Sequence, residues 1–218
     1  MNRDAVRLGA IAIALVAALF IGAQLYLRST EEARNEEVAS VARDVPSIFE
    51  RPHSRSLGPK NARVTVVEFF DPECESCRAI HAPVKRLLAQ YPNDVRLVLR
   101  YMPLHGNSVY AAGALEAAGA QGLYWEMLES LFMYQPEWGN HFQPRPELIP
   151  GYARELGLDM AAFDAFLAAG AYRTLVDVDR ADGIALGVEG TPTFFVNGQL
   201  LVQHGYEPLK AMVEQALQ

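Results

Sequence analysis

Apolar residues run unbroken along one stretch of this chain and recur with short periods along the rest. Leu8 to Leu27 reads LGAIAIALVAALFIGAQLYL, twenty residues with no charge and one amide, Gln24. As a helix rising about 1.5 Å per residue it spans about 30 Å, the thickness of a hydrocarbon core. Residues 29–57 turn polar, with Pro46 and Pro52 followed by Gly58 and Pro59, which predicts a linker with room for a short helix. Beyond it the periods alternate. Val64–Phe70 predicts a strand, and Cys74–Tyr91 a helix with Ile80, Val84, Leu87 and Leu88 on one side. Pro83 inside that helix cannot donate to Ala79 and predicts a kink. Val95–Tyr101 alternates as a second strand, so the pair should be parallel with a right-handed crossover.

Ser108–Gln135 is alanine-rich and helical, with Tyr124, Trp125, Tyr134 and the nearby Trp138 as its expected core. Pro144, Pro146 and Pro150 interrupt before helical pieces at Tyr152–Leu156, Met160–Leu167 and Tyr172–Leu186. Thr193–Val196 and Gln199–Val202 flank Asn197-Gly198, a strong hairpin signal. Glu207–Leu217 closes the chain as an amphipathic helix. The order is β-α-β, a helical block of about 85 residues, then β-β-α, which is α/β in class.

Charge changes the picture in two ways. A net charge of −7 with half the residues hydrophobic excludes a disordered tail and a nucleic-acid binder. Arg3 and Arg7 precede the apolar run, whereas Glu31, Glu32, Glu36 and Glu37 follow it. Cationic flanks stay in the cytoplasm, so residues 1–28 are expected to be a cytoplasmic tip and transmembrane helix, spanning an inner membrane through residues 8–27. A cleaved signal peptide is the alternative, but its apolar core is about 7–15 residues, and the best cleavage site here, after Ala23, puts Ile21 where a small residue belongs. Either reading places the remainder in the periplasm or its equivalent, where disulfides persist.

The chain has two cysteines, in Cys74-Glu75-Ser76-Cys77, between a predicted strand and a predicted helix start. A helix N-terminus favours a thiolate through its partial positive charge and free N–H groups. A second thiol nearby can then attack the mixed disulfide formed by the first. Structural zinc usually takes four protein ligands. Only His81 follows at a helical spacing, while His53, His105, His141 and His204 are scattered. Redox chemistry without a cofactor is the leading reading; a Cu or Zn metallochaperone using Cys74, Cys77 and His81 is an alternative. A purely structural disulfide would close too short a loop to constrain the unfolded chain much.

The segments VEFFDPECESC and TPTFFVNG together resemble the thioredoxin superfamily, specifically its DsbA-like branch, across residues 58–218. The stretch Tyr101-Met102-Pro103-Leu104-His105 resembles the junction leading to that branch's helical subdomain, here about residues 106–188. The resemblance implies a thioredoxin-like fold with an inserted all-helical subdomain, acting as a thiol-disulfide oxidoreductase of the bacterial envelope on protein substrates. It implies a membrane partner of the DsbB or VKOR type, or a thiol reductant. A redox maturation factor dedicated to one client is a further alternative.

Carried over by position, the resemblance implies Cys74 as the exposed nucleophile and Cys77 as the buried resolving thiol. Glu68, six residues before Cys74, would be a buried acid that moves the proton of Cys77. Thr191 and Pro192 would form the cis peptide that faces an extended substrate. Glu75 and Ser76 would tune the redox poise, where the strongest oxidants of the branch carry Pro-His. With Asp71 and Glu73 adding negative charge, Cys74 should be less acidic than in those oxidants and the disulfide less oxidising. His81 is expected at the surface or between subdomains.

Overall fold

The computed structural model describes residues 3–218, with side chains at Ile13 and from Leu15 onward. Among the described residues, five strands form one sheet in the order β1-β3-β2-β4-β5. β2 (Val64–Phe70) and β3 (Val95–Tyr101) are parallel and joined by α2 (Glu75–Gln90), as the strand–helix–strand pattern predicts. β4 (Thr193–Val196) runs antiparallel to β2, and β5 (Gln199–Leu200) returns from it. The hairpin turn has Asn197 at φ 48° and Gly198 at φ 81°, the left-handed pair that Asn-Gly tolerates and a two-residue hairpin requires. β5 is shorter than expected and ends before Leu201.

Six helices lie between β3 and β4: α3 (Ser108–Gly119), α4 (Tyr124–Met133), α5 (Gln135–Trp138), α6 (Ile149–Glu155), α7 (Met160–Ala169) and α8 (Tyr172–Ala185). The helix expected over Ser108–Gln135 is thus broken twice, first around Gly122, whose φ is 82°. Tyr124 and Trp138 are buried, and Trp125 and Tyr134 pack partly buried against the same core. α9 (Tyr206–Ala216) lies beside α2 over the sheet. α2 continues through Pro83.

Side chains alternate across a strand, so β2 divides its residues between two cores. Val64, Val66 and Phe70 pack with Ile80, Val84 and Leu87 of α2, while Val67 and Phe69 pack on the opposite face with Val98 and Phe195. Glu68 shares the parity of Val66 and Phe70 and therefore faces α2. Both faces are covered, so β3 is buried at every residue despite its alternating sequence.

The stretch 29–57 is more structured than a linker. α1 runs Arg3–Asp44, and β1 (Arg55–Leu57) pairs antiparallel with β3. Val38 and Ile48 are buried against Val67, Phe69 and Leu200, and the Asn35 side chain accepts a hydrogen bond from Leu200 N. Gly58, at φ 98°, makes the turn out of β1, where a Cβ would stand 2.6 Å from the Val95 carbonyl. The apolar run falls within α1. Among the described residues, no helix is long and apolar enough to cross a membrane; the side chains of residues 8–12 and 14 of the expected span lie outside them.

Arg100, a charged residue within the alternating strand β3, is fully buried. Its guanidinium donates to Asp179 (2.7 Å), Asp182 (2.5 Å) and the Ile48 carbonyl. The same carboxylates hold His53 and Arg51 of the segment after α1, and Asp179 also accepts from Tyr101 N. One cation thus joins β3, α8 and residues 48–53. Replacing it strands two buried carboxylates, so Arg100→Met should cost about 3–5 kcal/mol. Urea unfolding measures this, and a loss under about 1 kcal/mol would show that the carboxylates find other partners.

Candidate active site

β2 ends at Phe70, and Asp71-Pro72-Glu73 turns the chain into α2 with Cys74 as its N-cap (φ −77°, ψ 124°). Asp71 is fully buried and accepts from Glu73 N (2.8 Å), Leu104 N (2.7 Å), His105 N (3.2 Å) and His105 Nδ1 (2.7 Å). Glu73 accepts from Asn107 N (2.6 Å) and Nδ2 (2.8 Å). Gln135 Nε2 donates to the carbonyls of Pro72 (2.9 Å) and Cys74 (3.0 Å), bringing α5 to the loop. The two carboxylates expected to surround Cys74 with bare negative charge are instead bound to the amides of the β3–α3 junction.

Cys74, expected to be exposed, is only 7% exposed because it lies against Thr191, and Cys77 is fully buried. Across the groove the Thr191–Pro192 bond is cis, as the resemblance implies, and the Cys74 thiol donates to the Thr191 carbonyl at 3.3 Å. Asp71 N donates to Cys77 Sγ at 3.5 Å. The cysteine pair, Glu68 and the Thr191–Pro192 peptide are therefore brought together. Glu75 and Ser76 are exposed at the rim. A groove of about 620 Å³ runs beside the pair, lined by Ser76, Pro83, Thr191, Pro192, His204 and Tyr206.

The two thiols are driven apart in acidity. Cys74 is pushed down from its ordinary value to about 5, first by the hydrogen bond from the Cys77 thiol. Burial opposes this, and the Thr191 side chain with the backbone N–H groups of Cys77 and Ser76 adds to it. Cys77 is pushed far up, by burial first and then by its hydrogen bond to Cys74 and the charge of Glu68. Glu68 is 4% exposed, and burial, with the Cys74 charge second, raises its carboxyl to about 8. Ser76 acts here through its backbone N–H, one of the free groups expected at a helix start.

His81 does not join the thiols. Its Nε2 lies 2.9 Å from Glu129 Oε1 and its ring packs on Phe132, so the ligand set Cys74, Cys77 and His81 does not assemble, and that metallochaperone reading is set aside. His105 was quoted in the junction motif but given no role. Burial lowers its basicity, yet the Asp71 hydrogen bond and the charges of Asp71, Cys74 and Glu73 raise it on balance. Nothing in the linear spacing marked His105 or Gln135 as neighbours of the pair, because α2 and β3 separate His105 from it, and α3 and α4 as well separate Gln135.

The family model described as thioredoxin matches residues 50–215. The chain belongs to the thioredoxin family, within its DsbA-like branch. A thioredoxin-like oxidoreductase from Silicibacter pomeroyi DSS-3 is 32% identical with a TM-score of 0.68, covering 79% of this chain and 97% of that one. BdbD from Bacillus subtilis is 25% identical with a TM-score of 0.67, covering 75% and 92%. The Na(+)/H(+) antiporter NhaA of Herminiimonas arsenicoxydans is 39% identical over 162 residues, 72% of this chain and 25% of that protein. The chain spans about a quarter of the length of the first curated relatives it matches.

The paired shifts have a consequence for stability. Native reduced Cys74 releases its proton near pH 5 while the unfolded thiol keeps it to about 9, so this group raises stability with pH over that interval. Native Glu68 keeps its proton to about pH 8 while the unfolded carboxyl loses it near 4.5, so this group lowers stability with pH. Between about pH 5 and 8 the two slopes cancel. Glu68→Gln removes one of them, so the reduced variant should gain on the reduced parent steadily from pH 5 to 8 in urea titrations. A gap independent of pH would show that Glu68 is not held protonated.

Proposed function

We propose that the chain is a membrane-anchored thiol-disulfide oxidoreductase of the bacterial envelope, exchanging disulfides with protein substrates through Cys74 and Cys77. The observation that carries this reading is the split acidity of two cysteines at a helix start, beside a cis peptide and above a buried acid. In the oxidising direction a substrate thiolate attacks Cys74 Sγ, a substrate–Cys74 bond forms, and the Cys74–Cys77 bond breaks. The electron pair leaves on Cys77, which takes its proton from the neutral Glu68 carboxyl. A second substrate thiolate then attacks the substrate sulfur and releases Cys74 as a thiolate, stable near neutral pH because its pKa lies near 5. Two electrons end on the pair, and a membrane partner of the DsbB or VKOR type removes them; run backwards with a thiol reductant, the same steps reduce substrates.

The Thr191 backbone beside Pro192 offers strand-like hydrogen bonding to an extended substrate, which recognises main chain more than side chains. Residues 8–27 anchor the chain in the inner membrane. In support, the large apolar side chains described from Ile13 to Leu27 are more than half exposed. Relatives that match most of this chain carry the name of an ion antiporter, which suits a redox unit working at a membrane.

Cys77→Ala should trap mixed disulfides on Cys74, recovered with the membrane fraction and lost when Cys74 is also replaced. Trapping that is stronger in Cys74→Ala reverses the roles, and recovery only from the soluble fraction removes the anchor. Glu75 and Ser76 supply no cation beside Cys74, so the potential should lie below about −120 mV, that of the strong oxidant DsbA. A glutathione equilibrium giving that value or higher would refute this tuning.

A further inference from the structure

The scattered histidines converge at one place. Among the described residues, Glu75, His105 and His141 each present a donor atom, all within 4.8 Å of one another. They come from separate segments: the first turn of α2, the loop between β3 and α3, and the loop after α5. His141 Nε2 already lies 3.0 Å from Glu75 Oε1, and the His105 and His141 rings meet edge to face at 5.0 Å. The His105 ring is held from behind by the buried Asp71 carboxylate at Nδ1 (2.7 Å), which leaves the Nε2 lone pair free. A carboxylate holding the far nitrogen of a histidine is how metal-ligating imidazoles are commonly oriented and made more basic.

We propose that Glu75, His105 and His141 form a binding site for a divalent cation of the zinc class, separate from the two sulfurs. Two imidazoles and one carboxylate are a ligand set that zinc takes with water completing the tetrahedron. Ligand bonds of about 2.0–2.1 Å put donor atoms about 3.3 Å apart around a tetrahedral ion. The Glu75–His141 pair is already near that spacing, and the widest separation has to contract by at most about 1.5 Å. The site is open to solvent: the side chains of Glu75 and His141 are 56% and 44% exposed. Occupied, it fastens the redox helix to the junction of the helical subdomain and to the loop behind α5, closing one flank of the Cys74 rim. This site uses neither thiol and stands whether or not the cysteines exchange disulfides.

The test uses the oxidised full-length chain in detergent, where the sulfurs are joined and offer no thiolate. Calorimetric titration with Zn²⁺ alone should give one ion per chain. His141→Ala should weaken binding by at least about tenfold, since even losing a group that only orients a ligand costs 10–100-fold. His81→Ala, whose histidine is engaged by Glu129, should leave it unchanged. Zn²⁺ should raise the Tm of the parent more than that of His141→Ala, both checked as folded by circular dichroism. No binding by the oxidised chain, equal binding by His141→Ala, or equal loss in His81→Ala overturns the site.

Discussion

A single negative charge has to be held in a nearly dry place, shared among Cys74, Cys77 and Glu68. All three are less than a tenth exposed. Two anions there would repel strongly and both would lack water, so the groups ionise in sequence rather than together. The order follows from position. Cys74 sits at the helix start and receives hydrogen bonds, whereas Glu68 lies beneath the sheet surface and receives only the field of the thiolate. Near neutral pH the sulfur is therefore charged and the carboxyl is not. A one-residue slip of β2 would exchange Glu68 for Phe69 and remove the acid from this face, so the β2–β3 and β2–β4 registers fix the chemistry as much as the cysteines do.

The opposite face of the sheet solves the inverse problem. There a buried cation, Arg100, is neutralised by Asp179 and Asp182, with Arg51 and His53 completing the cluster. A buried ion pair is a weak source of net stability, because desolvation offsets most of the attraction. Its geometric effect is larger. The cluster and the apolar contacts of Val38 and Ile48 hold the end of α1 and the following segment on the sheet face away from α2. The end of α1 and the thiol groove thus belong to opposite faces of one sheet.

Local signals were read well from the chain, and long-range ones poorly. β2, β3, α2, the Asn197-Gly198 hairpin and α9 follow from period and turn chemistry, which act within a few residues. The cysteine pair announced a helix start, and the two motifs brought Thr191 and Pro192 to it. β1 was missed because Arg55-Ser56-Leu57 is too short to show a period, and its strand character comes from pairing with β3. The burial of Arg100 left no mark either, because alternation describes a half-exposed strand, while β3 is covered on both faces. His105 and His141 read as scattered because the folding of α3–α5 back onto α2, which brings them together, leaves no spacing in the sequence.

The same limit explains why charge near Cys74 misleads when counted along the chain. Asp71, Glu73 and Glu75 precede or follow the cysteine closely and, taken alone, oppose a thiolate. In the fold, Asp71 and Glu73 are saturated by backbone amides and side chains at the β3–α3 junction, and Glu75 turns out to His141. A carboxylate already accepting several hydrogen bonds projects less field than a bare one, and an exposed carboxylate is screened by water. What remains to set the acidity of Cys74 is short-range: the Cys77 thiol, the Thr191 side chain and two N–H groups of the helix start. The intervening dipeptide matters mainly for what it fails to bring, a cation, while the loop acids serve to fasten the helical subdomain to the rim on which the thiolate stands.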